Sequence, residues 1–329
     1  MKTILYGCGR NLEKFFAEYT LGHDVVAIVD RNEDKHGIYK GINVIGLEQL
    51  SKLEFDKLLV TIDDYTVCLN DLAKLNIPNE KINIPYRGGH MWKDVKIVPL
   101  YGGGLKCDFD GVKFLVKNKS DLGVMNSIFV YNSWDFYINK KCTVIDIGMN
   151  IGLASLFFAN MNIVDEVYGY EPFPMTYEDA LNNFKLNPTI SRKIQALNYG
   201  LSDIDSTLTC LYNPEYTTNM RTDNEKRKHG FNEISVNIQL KDSYEVLKDI
   251  LNTDKITVLK LDCEGAEYSI MRRLDESGLL AKIDMILAET HDGKENMLKE
   301  ILKDNNFIYF DNYAGDYEQL GFLYAVKNR

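Results

Sequence analysis

The stretch TVIDIGMNIG, residues 143–152, decides the fold. Its first half is a short apolar, β-branched run that reads as a buried strand, with Asp146 near the carboxyl end. Gly148, Asn150 and Gly152 then form a turn, and the apolar residues up to Met161 read as a helix. Glycines in such a turn let the backbone approach a ligand closely, and open α/β sheets bind ligands in the crevice beyond the carboxyl ends of their strands. Outward from this unit the alternation continues: strand 166–170, helix 175–186, strand 194–198, then strands 257–262, 284–288 and 307–311. A final strand over 321–327 pairs with 307–311 as a hairpin and makes that edge antiparallel. Strands separated by helices of this length predict a largely parallel, doubly wound sheet over 142–329.

Upstream, a smaller α/β unit occupies 1–88. Strands are expected at 3–6, 25–29 and 58–62, with helices from Asn11 and after Asp64. Leu12, Phe15, Phe16 and Tyr19 recur at helical spacing on one face. Between the two units, 89–141 shows no long periodic pattern and reads as a connecting subdomain, punctuated by the glycine clusters at 87–89 and 102–104. The segment 212–230 is polar, basic and aromatic without periodicity, as a long surface loop or lid would be.

Composition narrows the function. Of 329 residues, 45% are hydrophobic and 26% charged, the mixture of a soluble globular chain. No apolar run nears the roughly 18 residues of a membrane span. The net charge of −10 disfavours a broad grip on phosphate backbones, so nucleic acid is not an expected partner. The six cysteines are scattered singly, which argues against a disulfide framework or zinc cage and for a reducing cytoplasm. The opening MKTILYGCGR lacks the apolar stretch and cleavage site of a signal peptide, so secretion is not expected.

About twenty residues beyond the glycine turn, YGYEPFP sets Glu171 at the end of the next strand, where an acidic side chain can accept both ribose hydroxyls of an adenosine. Either feature alone also reads as a plain strand–helix turn with a solvated glutamate; together they favour an adenosine cofactor. The order TVIDIGMNIG, YGYEPFP, ALNYGLSD, LKLDCEGAE and ILAETH resembles the FkbM family of S-adenosylmethionine-dependent methyltransferases, over about 142–329. The resemblance implies a class I methyltransferase-type sheet preceded by the small Rossmann-like domain, with S-adenosylmethionine as cofactor. It places Asp146, Gly148, Asn150 and Gly152 around the methionine and sulfonium end, Glu171 on the ribose, Ser202 and Asp203 near the adenine, and Glu264 among the cofactor residues. Met149 stands where the family leads one to expect alanine, a departure that would narrow the pocket. The implied reaction is O-methylation of a small-molecule or carbohydrate acceptor.

A sulfonium methyl is already activated, so the protein has to align an acceptor and take its proton. His291 and Asp262 both close strands at the same crevice. His291 is expected as the general base and Asp262 as the orienting carboxylate or second acid–base group, because histidine titrates near neutral pH. Asp262, Glu289, His291 and Asp292 also read as ligands for a divalent cation, but the resemblance requires no metal and none is assigned. His23, His36, His90 and His229 read as solvated surface groups. The run Arg221, Lys226, Arg227, Lys228 before His229 is a solvated charge cluster or a phosphate contact for a nucleotide-linked substrate. In the amino-terminal unit, Gly7, Gly9 and Asp30 form only a partial dinucleotide fingerprint. That domain serves nucleotide or nucleotide-sugar binding, assembly into a homo-oligomer, or scaffolding. The alternatives to methyl transfer are a non-catalytic nucleotide-binding or assembly protein and an NAD-dependent oxidoreductase using Gly7 and Asp30.

Overall fold

A computed structural model of the chain describes every residue except 10, 11, 14, 17–23, 63, 64, 84–95, 101–103, 215, 222–232, 314–320 and 329. It divides into two units, Met1–Leu122 and Gly123–Arg329. The boundary between them falls within the stretch 89–141.

In the first unit, strands β1 (Lys2–Tyr6), β2 (Asp24–Val29), β3 (Gly37–Tyr39), β4 (Ile42–Ile45), β5 (Lys57–Val60) and β6 (Ile82–Asn83) form one sheet in the order β3-β4-β2-β1-β5-β6. All pairings are parallel except the β3–β4 hairpin. Leu12 and Phe15 are buried against Leu5, Ile28 and Leu59, as the helical spacing requires; Tyr19 lies outside the described residues. A second, antiparallel sheet follows, made of β7 (Lys96–Pro99), β8 (Leu105–Phe109) and β9 (Val112–Val116). Its alternation of buried and exposed residues (Leu105, Cys107; Val112, Phe114, Val116 inward) runs too briefly to dominate a sequence window.

The second unit opens with a π-helical turn, Asn126–Val130. Its main strands are β10 (Cys142–Ile147), β11 (Val164–Tyr170) and β12 (Ile194–Leu197). After the small sheet of β13 (Gly200–Ser202), β14 (Ser206–Tyr212) and β15 (Ile234–Asp242) come β16 (Ile256–Leu261), β17 (Met285–Thr290), β18 (Phe307–Tyr313) and β19 (Gly321–Lys327). The principal sheet runs β12-β11-β10-β16-β17-β19-β18. Its first five strands are parallel, and β19 inserts antiparallel between β17 and β18. This is the doubly wound α/β architecture expected, antiparallel edge included. The central strands are covered on both faces: every residue of β10 is buried, so its sequence is nearly continuously apolar instead of alternating.

Helices seat the strand ends. Leu153–Asn160 starts behind Gly152, whose φ of 81° belongs to the left-handed region, and whose lack of a side chain admits the Phe184 ring from helix Pro174–Lys185. Helix Ser243–Ile250 is capped by Asp242, which accepts from the Tyr244 N–H at 2.8 Å. Glu267–Glu276 and Glu295–Asp304 complete the cover over a core that includes Ile145, Leu259, Ile286, Ile270 and Leu302.

Candidate functional site

Parallel pairing brings the carboxyl ends of β10, β11 and β16 together, and a cavity opens beyond them, lined by Gly148, Asn150, Glu171, Leu201, Asp262 and Glu289 among others. The turn after β10 is clamped from two sides. Gly148 and Met149 donate their N–H groups to the Tyr170 carbonyl at 3.1 and 2.9 Å, and the Asp262 N–H donates to Ile147 O at 3.1 Å. Gly148 has φ 80°, and a Cβ there would overlap the Asp262 carbonyl, so only glycine lets the two turns meet. Met149 lines the cavity at this turn, and its buried side chain runs towards Gly169, with the sulfur crowding the space that a Cβ there would take. The absent side chain at Gly169 accommodates the departure from alanine.

Glu171 is buried at the end of β11. Its Oε2 accepts the Asn150 N–H at 3.0 Å and its Oε1 the Phe173 N–H at 2.9 Å. Burial pushes its pKa up to about 7 against those two bonds.

Register explains the next pair. Asp146 of β10 lies opposite Lys260 of β16, and Lys260 Nζ stands 2.9 Å from Asp146 Oδ1 while donating to Gly148 O at 2.7 Å. Burial disfavours the ammonium, but Asp146 and Asp262 more than offset it, and the Lys260 pKa is raised. Asp146 also accepts from Ser155 Oγ at 2.6 Å. It is fully buried behind the cavity wall rather than on it.

At the other end, β16 and β17 bring Asp262, Glu264, Glu289 and His291 together. His291 is buried, its Nδ1 lies 3.1 Å from Glu267 Oε1, and its Nε2 lies 3.6 Å from Glu264 Oε2. Glu267 also accepts the His291 N–H at 3.1 Å and the Gly265 N–H at 2.8 Å. Burial works against the imidazolium, but Glu267 and Glu264 outweigh it and raise the His291 pKa to about 10. With its proton held through neutral pH, this ring is poorly suited to the general-base role expected of it. Burial instead pushes Glu264 to about 7, and burial plus the Asp262 charge push Glu289 to about 8.

Of the residues expected at the site, Gly148, Asn150, Glu171, Asp262 and Glu264 line the cavity. Gly152 lies behind the wall as a helix start. Ser202 and Asp203 do not line the cavity, although their neighbour Leu201 does; the Asp203 carboxylate is turned to Arg272 at 2.7 Å. Asp292 is taken by Arg221 at 2.8 Å, which removes both from the roles considered for them. His229 and Lys226, Arg227 and Lys228 lie outside the described residues, as do His23 and His90. His36 is held by its own loop, with Nε2 2.9 Å from Asp30 O. In the first unit the Asp30 carboxylate already accepts the Cys8 N–H at 2.6 Å, the Asn32 N–H at 2.9 Å and Lys35 Nζ at 3.3 Å, which leaves it poorly disposed toward a ribose. Lys260 and Glu267 are the additions, and Glu289, read from the sequence only as a cation ligand, lines the cavity. A lysine inside the apolar strand ITVLKL was the one sequence signal for the first.

The cavity thus combines close backbone approach, a buried carboxylate with two ordered oxygens, and carboxylates whose proton affinity lies near neutrality. It suits a polar ligand carrying positive charge and a reaction that releases a proton.

Residues 146–316 match the family model described as Methyltransferase FkbM domain, and residues 1–83 match one described as C2185-like, N-terminal. Methyltransferase sdnD of Sordaria araneosa is 26% identical over 190 residues, 50% of this chain and 73% of that protein. Methyltransferase 1 of Beauveria bassiana (strain ARSEF 2860) is 24% identical over 180 residues, 50% of this chain and 71% of that protein. The crystal structure of Methyltransferase FkbM from Methylobacillus flagellatus KT aligns over 98% of this chain and 89% of that one, with 13% identity and a TM-score of 0.39.

Proposed function

Because the chain belongs to the FkbM methyltransferase family, we propose that its second unit binds S-adenosylmethionine and moves the methyl group to a hydroxyl of a sugar, nucleotide-sugar or related small metabolite. Glu171 carries this reading. It is steadied by two backbone N–H groups yet faces the cavity, and each of its oxygens keeps a lone pair for a ribose hydroxyl. The carboxylates at the β16 and β17 ends favour a sulfonium along the same cavity.

We assign the acceptor's proton to Glu289. It lines the cavity, and a proton affinity near pH 8 matches a base that works at neutrality. Asp262 keeps the expected role of orienting carboxylate. His291 becomes a positioning group fixed by Glu267. Trp134 and Phe322, with ring centroids 5.5 Å apart, also line the cavity and offer an apolar surface to the acceptor.

The test is incubation of the purified chain with methyl-labelled S-adenosylmethionine and a panel of nucleotide sugars, free glycans and small hydroxylated metabolites. Label on an acceptor oxygen is the expected result. Saturable NAD binding without S-adenosylmethionine binding would reject the reading in favour of an oxidoreductase.

A further inference from the structure

Three donor atoms converge where the turn after β16 meets the end of β17. A carboxylate oxygen of Asp262, one of Glu264 and a ring nitrogen of His291 all lie within 4.8 Å of one another. Two ligands each about 2.1 Å from one Mg²⁺-like ion stand roughly 3.0 Å apart when adjacent and 4.2 Å when opposite. The 3.6 Å between His291 Nε2 and Glu264 Oε2 is too long for a hydrogen bond and falls between those two spacings.

The histidine itself is the independent observation. Its side chain is only 7% exposed, and Nδ1 is engaged by Glu267 at 3.1 Å. Among the described residues Nε2 has no hydrogen bond, and it faces the two carboxylates across the gap. A ring held at one nitrogen by a buried carboxylate, with the other nitrogen directed at further donors, is how a ligating histidine is oriented; ligation requires the neutral ring, so a cation bound here displaces the proton that Glu264 and Glu267 otherwise hold on it.

We propose that Asp262, Glu264 and His291 hold a divalent cation of the Mg²⁺ or Mn²⁺ class, with Glu267 as the positioning residue behind the histidine. One imidazole with two carboxylates suits that class better than thiolate-seeking metals. Asp292 is excluded from the set by its pairing with Arg221. Three protein donors leave room in an octahedral shell for two adjacent oxygens, so the acceptor class is a vicinal diol or a comparable chelating pair.

The inference rests on the methyl-transfer reading for the use of the ion, not for its binding. A hydroxyl bound to the cation gives up its proton more readily. That proton passes to Glu289 and the new O–C bond forms as the C–S bond breaks. The C–S electron pair stays on sulfur, leaving the neutral thioether of S-adenosylhomocysteine.

The test is titration of Mn²⁺ into the full chain after removal of metal with EDTA, counting free ion by electron paramagnetic resonance. S-adenosylhomocysteine binding is measured on the same samples. One saturable Mn²⁺ per chain is expected, with affinity reduced about tenfold or more in Glu264→Gln and His291→Gln. Pulsed resonance on the unmodified chain should show nitrogen coupling from one imidazole, which keeps the result independent of how the variants fold. A chain that binds S-adenosylhomocysteine but shows no saturable Mn²⁺ overturns the cation site and leaves the methyl-transfer reading standing. Bound Mn²⁺ without nitrogen coupling, or with undiminished affinity in both variants, overturns the ligand assignment. Saturable, nitrogen-coupled Mn²⁺ without S-adenosylhomocysteine binding supports the cation site while striking at methyl transfer.

Discussion

Lys260 and Asp146 form an ion pair of 2.9 Å across neighbouring strands, with side chains 2% and 0% exposed. The same ammonium donates to the Gly148 carbonyl, so it ties the sheet to the turn that shapes the cavity. Removing one partner from a buried pair leaves an uncompensated charge, at a cost of about 3–5 kcal/mol. Lys260→Met should therefore shift the urea midpoint strongly downward with an unchanged slope, and adding Asp146→Leu to it should recover part of the loss. A single variant within about 0.5 kcal/mol of the parent, the size of an ordinary surface effect, would show that the pair has no holding role.

Gly148→Ala tests the close approach of the two turns. The left-handed conformation costs a non-glycine residue about 1–2 kcal/mol, and the added methyl group also meets the backbone of Asp262. Backbone cannot move aside as a flexible side chain can. The expected outcome is lower stability together with weakened S-adenosylhomocysteine binding, read by thermal unfolding and calorimetry. Unchanged values in both would mean that the β10 and β16 turns are not locked together.

The strands were legible because a buried parallel strand is a nearly continuous apolar run: TVIDI, TVLKL and MILAE need no partner to be recognised. Glu171 was legible for a similar reason, since its place depends on one strand end and one turn. Lys260 and Glu267 were not, because their roles depend on pairing. The register that sets Lys260 beside Asp146 joins distant segments, and Glu267 matters only once helix Glu267–Glu276 brings it to His291. His291 shows the limit most clearly. Its position at a strand end was readable, but its proton affinity is fixed by two glutamates, one of them on that helix. The small sheet of β13, β14 and β15 escaped because β15 and β14 pair across the segment read as one long loop.

Glu171 gives a pH signature. Its folded pKa, about 7, lies above the ordinary 4.5 because of burial. Its contribution to stability is therefore full below about pH 4.5 and is lost as pH rises through 7. Cofactor binding runs the other way, since the ionised carboxylate is the better acceptor for ribose hydroxyls. S-adenosylhomocysteine affinity should rise between about pH 6 and 8, and Glu171→Gln should flatten that rise while losing roughly 1.5–3 kcal/mol of binding at the upper end. Calorimetry across the range checks both; an equally steep rise in the variant would assign the titration elsewhere.

Glu289→Gln addresses the proton. General-base catalysis contributes about 100-fold or more, so single-turnover methyl transfer should fall by that order while S-adenosylhomocysteine affinity holds. The glutamine keeps the shape and removes the proton acceptor. A variant with the parent's single-turnover rate would return the role to Asp262 or His291.

Arg221 is the last described residue before the segment 222–232, and its guanidinium is 2.8 Å from Asp292 with both side chains largely covered. The preceding turn, Thr217–Asn219, also reaches the site: Asn150 Nδ2 donates to Thr217 O at 3.4 Å, and Thr217, Thr218 and Met220 line the cavity. The described stretch Thr217–Arg221 is thus held at both the glycine turn and the end of β17. Arg221→Ala cuts the second anchor and leaves Asp292 without its guanidinium. If the loop governs acceptor entry, the acceptor KM should rise several-fold while S-adenosylhomocysteine affinity changes little, because Glu171 and the β10 turn are untouched. The two are separated by steady-state kinetics at saturating cofactor alongside calorimetry. Equal losses in both would make the Arg221–Asp292 pair a support of the whole cavity, and an unchanged acceptor KM would remove the loop from acceptor control.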